Sequence, residues 1–218
     1  MGCDDLFKKK RAARGRRRAG DIRTRTDSFL IVAEGTRTEP NYLRGLRDRI
    51  PESIRGRVDI DVKGCGMCTR SLVEEAQRLA SQSSVEYQHI WVVFDRDDFR
   101  DFDAAIKLAK KNNFRVAWSN PCFEYWLYLH FHDCDSALHR AQYSSKLSVE
   151  FKRHGCPEGY KKNMPNLYGF VTTEGSEADA IARARHALAS HAKGKPCSRM
   201  EPATTVHELV EELTEYLD

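Results

Sequence analysis

Short apolar runs alternate with amphipathic stretches along most of this chain, and the two periods predict alternating strands and helices. Ser28-Phe-Leu-Ile-Val-Ala33 is apolar and β-branched and reads as a buried strand, with Gly35 marking the turn after it. Pro40 suits the first turn of a helix over Asn41 to about Arg49, where Tyr42, Leu43, Leu46 and Ile50 recur at helical spacing. Val58 to Val62 alternates and predicts a second strand. After a loop at Gly64 to Gly66, Thr69 is placed to cap a helix over Arg70 to about Ser81, with Leu72, Val73, Ala76 and Leu79 on one face. His89-Ile-Trp-Val-Val-Phe94 predicts a third strand, Phe102 to about Asn112 a helix, and Phe114-Arg-Val-Ala-Trp118 a fourth strand. Beyond Pro121, Phe123 to Phe131 reads as an aromatic helix. This alternation predicts an α/β fold, a mostly parallel sheet flanked by helices.

The pattern changes after about His132. Residues 135–165 are polar and in part helical. Ser176 to His191 reads as a helix with Ala178, Ile181, Ala184, Ala187 and Leu188 along it. Residues 192–202 read as a loop, and Thr204 or Thr205 caps a closing helix striped by Val206, Leu209, Val210, Leu213 and Leu217. No internal repeat is visible. The expected organisation is a basic tail over 1–26, an α/β core over 27–132 and a mainly helical C-terminal extension over 133–218.

Composition fits this picture. The 218 residues suffice to bury a core without disulfide staples, and 40% hydrophobic with 31% charged residues predicts a soluble globular protein. No run approaches the roughly 18 apolar residues of a membrane helix. No apolar stretch follows the basic N-terminus directly, which argues against a secretory signal and makes the cytoplasm the expected compartment. Seven cysteines are scattered without a disulfide framework. Cys65-Gly-Met-Cys68 has metal-knuckle spacing, but no second pair completes a tetrahedral site, so plain loop thiols are the expectation.

The net charge of +4 is unevenly placed. Lys8, Lys9, Lys10, Arg11, Arg14, Arg16, Arg17, Arg18, Arg23 and Arg25 stand against one acid, Asp21. Such a block cannot form a core and is expected to be disordered when unbound. Its natural partner is a polyphosphate backbone, held through counterion release. The plainer reading is a solvated tail. Arg37 joins the first eight of these basic residues as a candidate nucleic-acid contact.

Two predicted strands end in carboxylates. Strand 29–33 ends at Glu34, and strand 90–94 ends at Asp95-Arg96-Asp97-Asp98. Ligands of open α/β sheets bind beyond the carboxyl ends of strands, and acids at i and i+2 can both face that crevice. Massed carboxylates repel one another unless a cation offsets them, and Mg²⁺ takes oxygen ligands of this kind. An acidic loop after a strand also commonly does no more than cap the next helix, and Asp98 reads that way. Trp91, Trp118, Phe123, Tyr125, Trp126 and Phe131 read as core aromatics, a minority of which could stack on a base.

Phe29-Leu-Ile-Val-Ala-Glu34-Gly35-Thr-Arg-Thr-Glu39-Pro40-Asn-Tyr42 resembles the Glu-Gly motif that opens Toprim domains, and Val92-Val-Phe-Asp95-Arg-Asp97 resembles their Asp-x-Asp motif. With Ser119-Asn120-Pro121-Cys-Phe123-Glu124-Tyr-Trp126-Leu-Tyr-Leu-His130-Phe131, Tyr160-Lys161-Lys162 and Thr205-Val-His207-Glu-Leu209-Val, the set resembles the RloB family over roughly residues 27–218. The Asn-Pro-x-Phe-Glu-x-Trp block is the most specific of these pieces. The resemblance implies a Toprim-like sheet and Mg²⁺- or Mn²⁺-dependent cleavage of nucleic acid. It implies Glu34 as a metal-linked acid or base and Asp95 and Asp97 as metal ligands. In related OLD-type nucleases further acids build a second metal site, for which Glu39 and Glu124 are the candidates here. A lysine near the scissile phosphate is also implied, Lys161 or Lys162. Asn120, His130 and His207 are supporting residues. The resemblance further implies anti-phage or abortive-infection loci, with an ABC-type ATPase often encoded alongside. RNA such as tRNA is ranked slightly ahead of DNA. The competing reading is a non-catalytic nucleic-acid-binding or regulatory subunit of a defence complex.

Overall fold

The computed structural model of the chain describes residues 27–55, 57–96 and 101–217. The basic block at 8–25, together with Asp97 and Asp98, lies outside the described residues. The alternation resolves into β1 (Asp27–Ala33), α1 (Thr38–Arg47), α2 (Glu52–Arg55), β2 (Val58–Gly64), α3 (Thr69–Gln82), β3 (His89–Asp95), α4 (Phe102–Lys111), β4 (Arg115–Asn120) and α5 (Phe123–Leu129). Then come α6 (Arg140–Arg153), α7 (Leu167–Glu174), α8 (Glu177–Ser190), a 3-10 turn at Cys197–Arg199, β5 (Ala203–Thr204) and α9 (Val206–Thr214).

The sheet has the order β2-β1-β3-β4-β5. β1 pairs with β2 and β3, and β3 with β4, all parallel, while β5 closes the edge antiparallel to β4. This is the expected α/β arrangement of a mostly parallel sheet flanked by helices. Its fifth strand comes from beyond residue 132, so the C-terminal residues complete the sheet.

Strand alternation sorts the core into two faces. Leu30, Val32, Val92, Phe94, Val116 and Trp118 pack on α3 and α4. Phe29, Ile31, Ala33, Trp91, Val93 and Ala117 pack on a thicker layer drawn from α1 and α5 to α9. β1 is apolar and buried at every position from Phe29 to Ala33 because both of its faces are covered. Trp91, Trp118, Phe123, Tyr125 and Trp126 are buried, and Phe131 is partly so, as expected for core aromatics. Among the described residues no helix is long and apolar enough to cross a membrane.

Several boundaries differ from the sequence reading. Thr69 is the first residue of α3 and Cys68 occupies the N-cap, so the expected Thr69 cap does not form. Thr205 occupies the N-cap of α9 without a side-chain cap bond. Its hydroxyl instead donates to Val116 O and accepts the Trp118 N–H, tying the start of α9 to β4 through buried bonds. α7 was not expected from the sequence. Its Leu-Tyr-Gly-Phe-Val-Thr-Thr-Glu carries β-branched residues and a glycine, which disguise a helix that packing imposes. Cys65, Cys68, Cys122, Cys134, Cys156 and Cys197 are unbridged thiols.

Candidate functional site

The parallel pairing of β1 and β3 brings their carboxyl ends side by side. Glu34 follows β1 and donates its N–H to Val93 O at 2.8 Å, while its Oε2 accepts the Asp95 N–H at 3.2 Å. The two motifs, far apart in sequence, are thus joined directly. Gly35 then turns the chain into α1, whose first turn carries Glu39. A Cβ at Gly35 would fall 2.1 Å from Glu39 Oε2, so the Glu39 carboxylate occupies the space that a side chain there would take. The backbone N–H groups of Gly35 and of Glu39 itself lie near that carboxylate and favour its charged form. The position is favoured further by the positive end of α1.

The second half of the site comes from α5. Glu124 stands in its first turn and is buried, and Oε1 accepts the Tyr160 hydroxyl and the Lys162 ammonium, each at 3.2 Å. The Phe123 N–H lies near the Asp95 carboxylate and favours its charged form. Thr38 Oγ1 donates to Lys162 O at 3.1 Å and Asn41 Nδ2 to Met164 O at 3.0 Å, which pins the 162–164 segment on the start of α1. Arg140, the first residue of α6, reaches to 3.9 Å from Asp95 Oδ2.

These elements enclose a cavity of about 280 Å³ lined by Glu34, Arg37, Glu39, Asp95, Glu124, Arg140 and Lys162 among others. The buried acids of the described residues are Glu39, Asp95, Glu124 and Glu150, and all but Glu150 line this cavity. Burial pushes the Asp95 carboxyl well above the ordinary carboxylate range, and the Glu39 and Glu124 charges push it further. Glu39 is raised by burial too, with the Glu124 charge adding and backbone N–H groups and Lys162 opposing. Burial, the largest influence, would lower Lys162, but the Glu124 charge, the hydrogen bond to Glu124 and the Asp95 charge together outweigh it and hold the ammonium above its usual value. Burial, with the neighbouring Glu124 and Asp95 charges, keeps Cys122 a neutral thiol.

A set of clustered carboxylate oxygens, costly to keep charged, suits a hard divalent cation such as Mg²⁺ or Mn²⁺. Among the described residues no three acid, histidine or cysteine side chains already stand as a ligand group. The donor chemistry fits the ion, and the cavity is a shared acidic pocket more than a finished coordination shell.

The structure brings together Glu34, Glu39, Asp95, Glu124, Lys162 and Arg37. It does not bring in Lys161, which is exposed and pairs with Glu158. Asn120 is buried with its amide nitrogen 3.3 Å from both Cys197 O and Ser198 O, so it ties down the turn before β5. His130 lies in the thick helical layer, with Nδ1 at 3.1 Å from Trp126 O and Nε2 at 3.5 Å from the Tyr42 hydroxyl. Burial lowers it to about 4. His207 is buried on α9 and lowered by burial as well, and neither histidine lines the acidic cavity. Asp97 and the tail residues Lys8, Lys9, Lys10, Arg11, Arg14, Arg16, Arg17 and Arg18 lie outside the described residues. Arg140 is the lining residue that sequence reasoning missed. It sits in a polar stretch with no motif or period to mark it.

No curated protein and no solved structure matches the chain. The model of the RloB-like protein family matches residues 29–213, which takes in both carboxylate-bearing strands, the Glu124 helix and α9. On that match, spanning most of its length, the chain belongs to the RloB-like family.

Proposed function

We propose that the chain is a divalent-metal-dependent phosphodiesterase that hydrolyses nucleic acid in defence against phage. The observation that carries this reading is the burial of Glu39, Asp95 and Glu124 around one cavity at the carboxyl ends of β1 and β3, with Glu34 at its edge. Asp95, Glu39 and Glu124, with Glu34 beside them, would hold the ion. When bound, Mg²⁺ or Mn²⁺ offsets the carboxylate charge and supplies Lewis acidity toward a phosphodiester.

The chain's own residues do the rest. Glu34 is only partly buried and its Oε2 is anchored on the Asp95 N–H, which places it to accept a proton from the attacking water. Lys162 and Arg140 stand at the cavity wall as cations for the phosphoryl oxygens, where charge accumulates as the bond breaks. Arg37, exposed on the same wall, meets the neighbouring backbone phosphate. Phe123 and the Gly35 turn hold the two halves in register.

The test incubates the full chain with plasmid, single-stranded DNA, total RNA and tRNA in Mg²⁺ or Mn²⁺, with and without an ABC-type ATPase wherever one is found encoded alongside. Expected is cleavage, of RNA first, that falls at least about a hundredfold in Asp95→Ala and in Glu34→Ala. Binding without cleavage under every metal and partner condition overturns the reading in favour of a non-catalytic nucleic-acid-binding subunit.

A further inference from the structure

Arg140 is the cavity residue that no motif accounts for, and its placement is built. Tyr143 and Leu147 of α6 are fully buried, and the Tyr143 ring packs edge-on against Tyr125 at 5.5 Å and Tyr128 at 6.1 Å. Both partner rings belong to α5, the helix that carries Glu124. The start of α6 is fixed by a reciprocal cap, in which His139 Nδ1 accepts the Ala141 N–H at 3.3 Å and Gln142 Oε1 accepts the His139 N–H at 2.9 Å. Arg140 is therefore carried to the cavity by a rigid helix start, and its guanidinium lies 3.9 Å from Asp95 Oδ2.

The pair is asymmetric. Asp95 keeps 12% of its side-chain surface and Arg140 43%, so the acid is enclosed while the arginine faces the mouth of the cavity. A guanidinium presents a planar fork that suits phosphate as well as carboxylate. It cannot lose its charge, so it must leave the carboxylate for a second cation to approach at full attraction. We propose that Arg140 is a tethered counter-ion of Asp95 that a divalent cation displaces and that then binds a phosphate of the substrate backbone. The inference rests on the reading of the cavity as a metal site, and it makes ion loading and substrate grip two ends of one exchange.

The exchange has a signature that a plain substrate contact lacks. Removing a competing cation tightens metal binding, while removing a phosphate contact weakens nucleic-acid binding. The test titrates the full chain with Mn²⁺ alone by electron paramagnetic resonance, in the wild type, Arg140→Ala and Arg140→Lys. The same proteins are titrated in Ca²⁺ with fluorescein-labelled single-stranded RNA and DNA oligonucleotides. Expected for Arg140→Ala is about two- to fivefold tighter Mn²⁺ binding, the range of a partly exposed ion pair, together with weaker binding of the oligonucleotides. Arg140→Lys keeps the charge without the fork, so its Mn²⁺ affinity stays near wild type while oligonucleotide binding still falls. Unchanged or weaker Mn²⁺ binding in Arg140→Ala, with wild-type binding intact, overturns the exchange and leaves the metal site standing. A wild type that binds no Mn²⁺ overturns both. Unaltered thermal melting of the variants is the control for folding.

Discussion

Two cavities of similar size, about 280 Å³ and about 310 Å³, are each lined by charged side chains, and they treat buried acid in opposite ways. In the first, Glu39, Asp95 and Glu124 are buried together, and the cations that reach them are Arg140, 3.9 Å from Asp95, and Lys162, 3.2 Å from Glu124. In the second, Glu150 is the buried acid, and His132 and Arg153 both reach it at 3.0 Å. Around it His154 meets Glu174 at 3.3 Å and Arg183 meets Asp179 at 3.5 Å. Abundance of charge does not separate the two. Pairing does, because three desolvated acids side by side are only partly offset by Arg140 and Lys162, which leaves charge for a bound cation to offset, whereas Glu150 has two bases to itself.

The largest expected effect lies in the floor of the second cavity. His130 is neutral when folded, its pKa lowered by burial to about 4 from an ordinary 6.5, with the Arg183 charge acting the same way. A depressed value means that the stability it contributes is complete above pH 6.5 and is lost as pH falls toward 4, roughly 3 kcal/mol in all. The raised carboxyls of Asp95 and Glu39 work with the opposite sign. Their contribution is present below the ordinary carboxylate range and is lost as pH rises. Urea denaturation in EDTA across pH 4 to 7 isolates the histidine as a difference, because His130→Gln should lose less stability, or gain more, on acidification than the wild type. An identical pH dependence in that variant would assign the slope to other groups.

Paired substitutions test the comparison itself. Glu150→Gln removes the charge that His132 and Arg153 share. Both bases can turn to water, so the loss is expected at about 1–3 kcal/mol, below the cost of stranding a fully buried charge. Asp95→Asn should do the reverse. It takes a repelled charge out of the acidic cavity and keeps the shape, and in EDTA it is expected to stabilise by about 0.5–2 kcal/mol while abolishing Mn²⁺ binding. Melting temperatures moving in opposite directions support the distinction. A destabilised Asp95→Asn would make the acidic cavity a structural network like its neighbour.

Much of this was legible along the chain because strand ends are. The apolar, β-branched runs before Glu34 and Asp95 could only be buried strands, and acids at their carboxyl ends had to share a crevice once the strands paired. Glu39 and Glu124 needed the family resemblance, since nothing in their own spacing sends them inward. Lys161 and Lys162 could not be told apart, because their difference depends on the Thr38 bond that turns Lys162 inward. Arg140 was invisible for a related reason. It is placed by Tyr143 and Leu147 packing on α5, a tertiary contact within a stretch that reads as merely polar. The same holds for β5, whose two residues are too few to carry a period.

The smallest expected effect probes whether the acidic cavity is as loosely matched as the comparison holds. Tyr160 donates its hydroxyl to Glu124 Oε1 at 3.2 Å, while its ring packs edge-on against Phe151 at 5.6 Å. Tyr160→Phe keeps the ring contact and deletes one hydrogen bond. Lys162 still stands 3.2 Å from the same oxygen, so Glu124 keeps a cationic partner. The loss expected is about 0.5–1.5 kcal/mol, read as a shift in urea midpoint at constant slope. It should also be less than that of Glu150→Gln, whose acid loses its charge for two bases at once. If Tyr160→Phe proves the more costly, Glu124 is held by its hydrogen bond as firmly as Glu150 is by its ion pairs. It would then leave the set of acids proposed to hold a metal, and under that proposal the cation would be held by Glu34, Glu39 and Asp95.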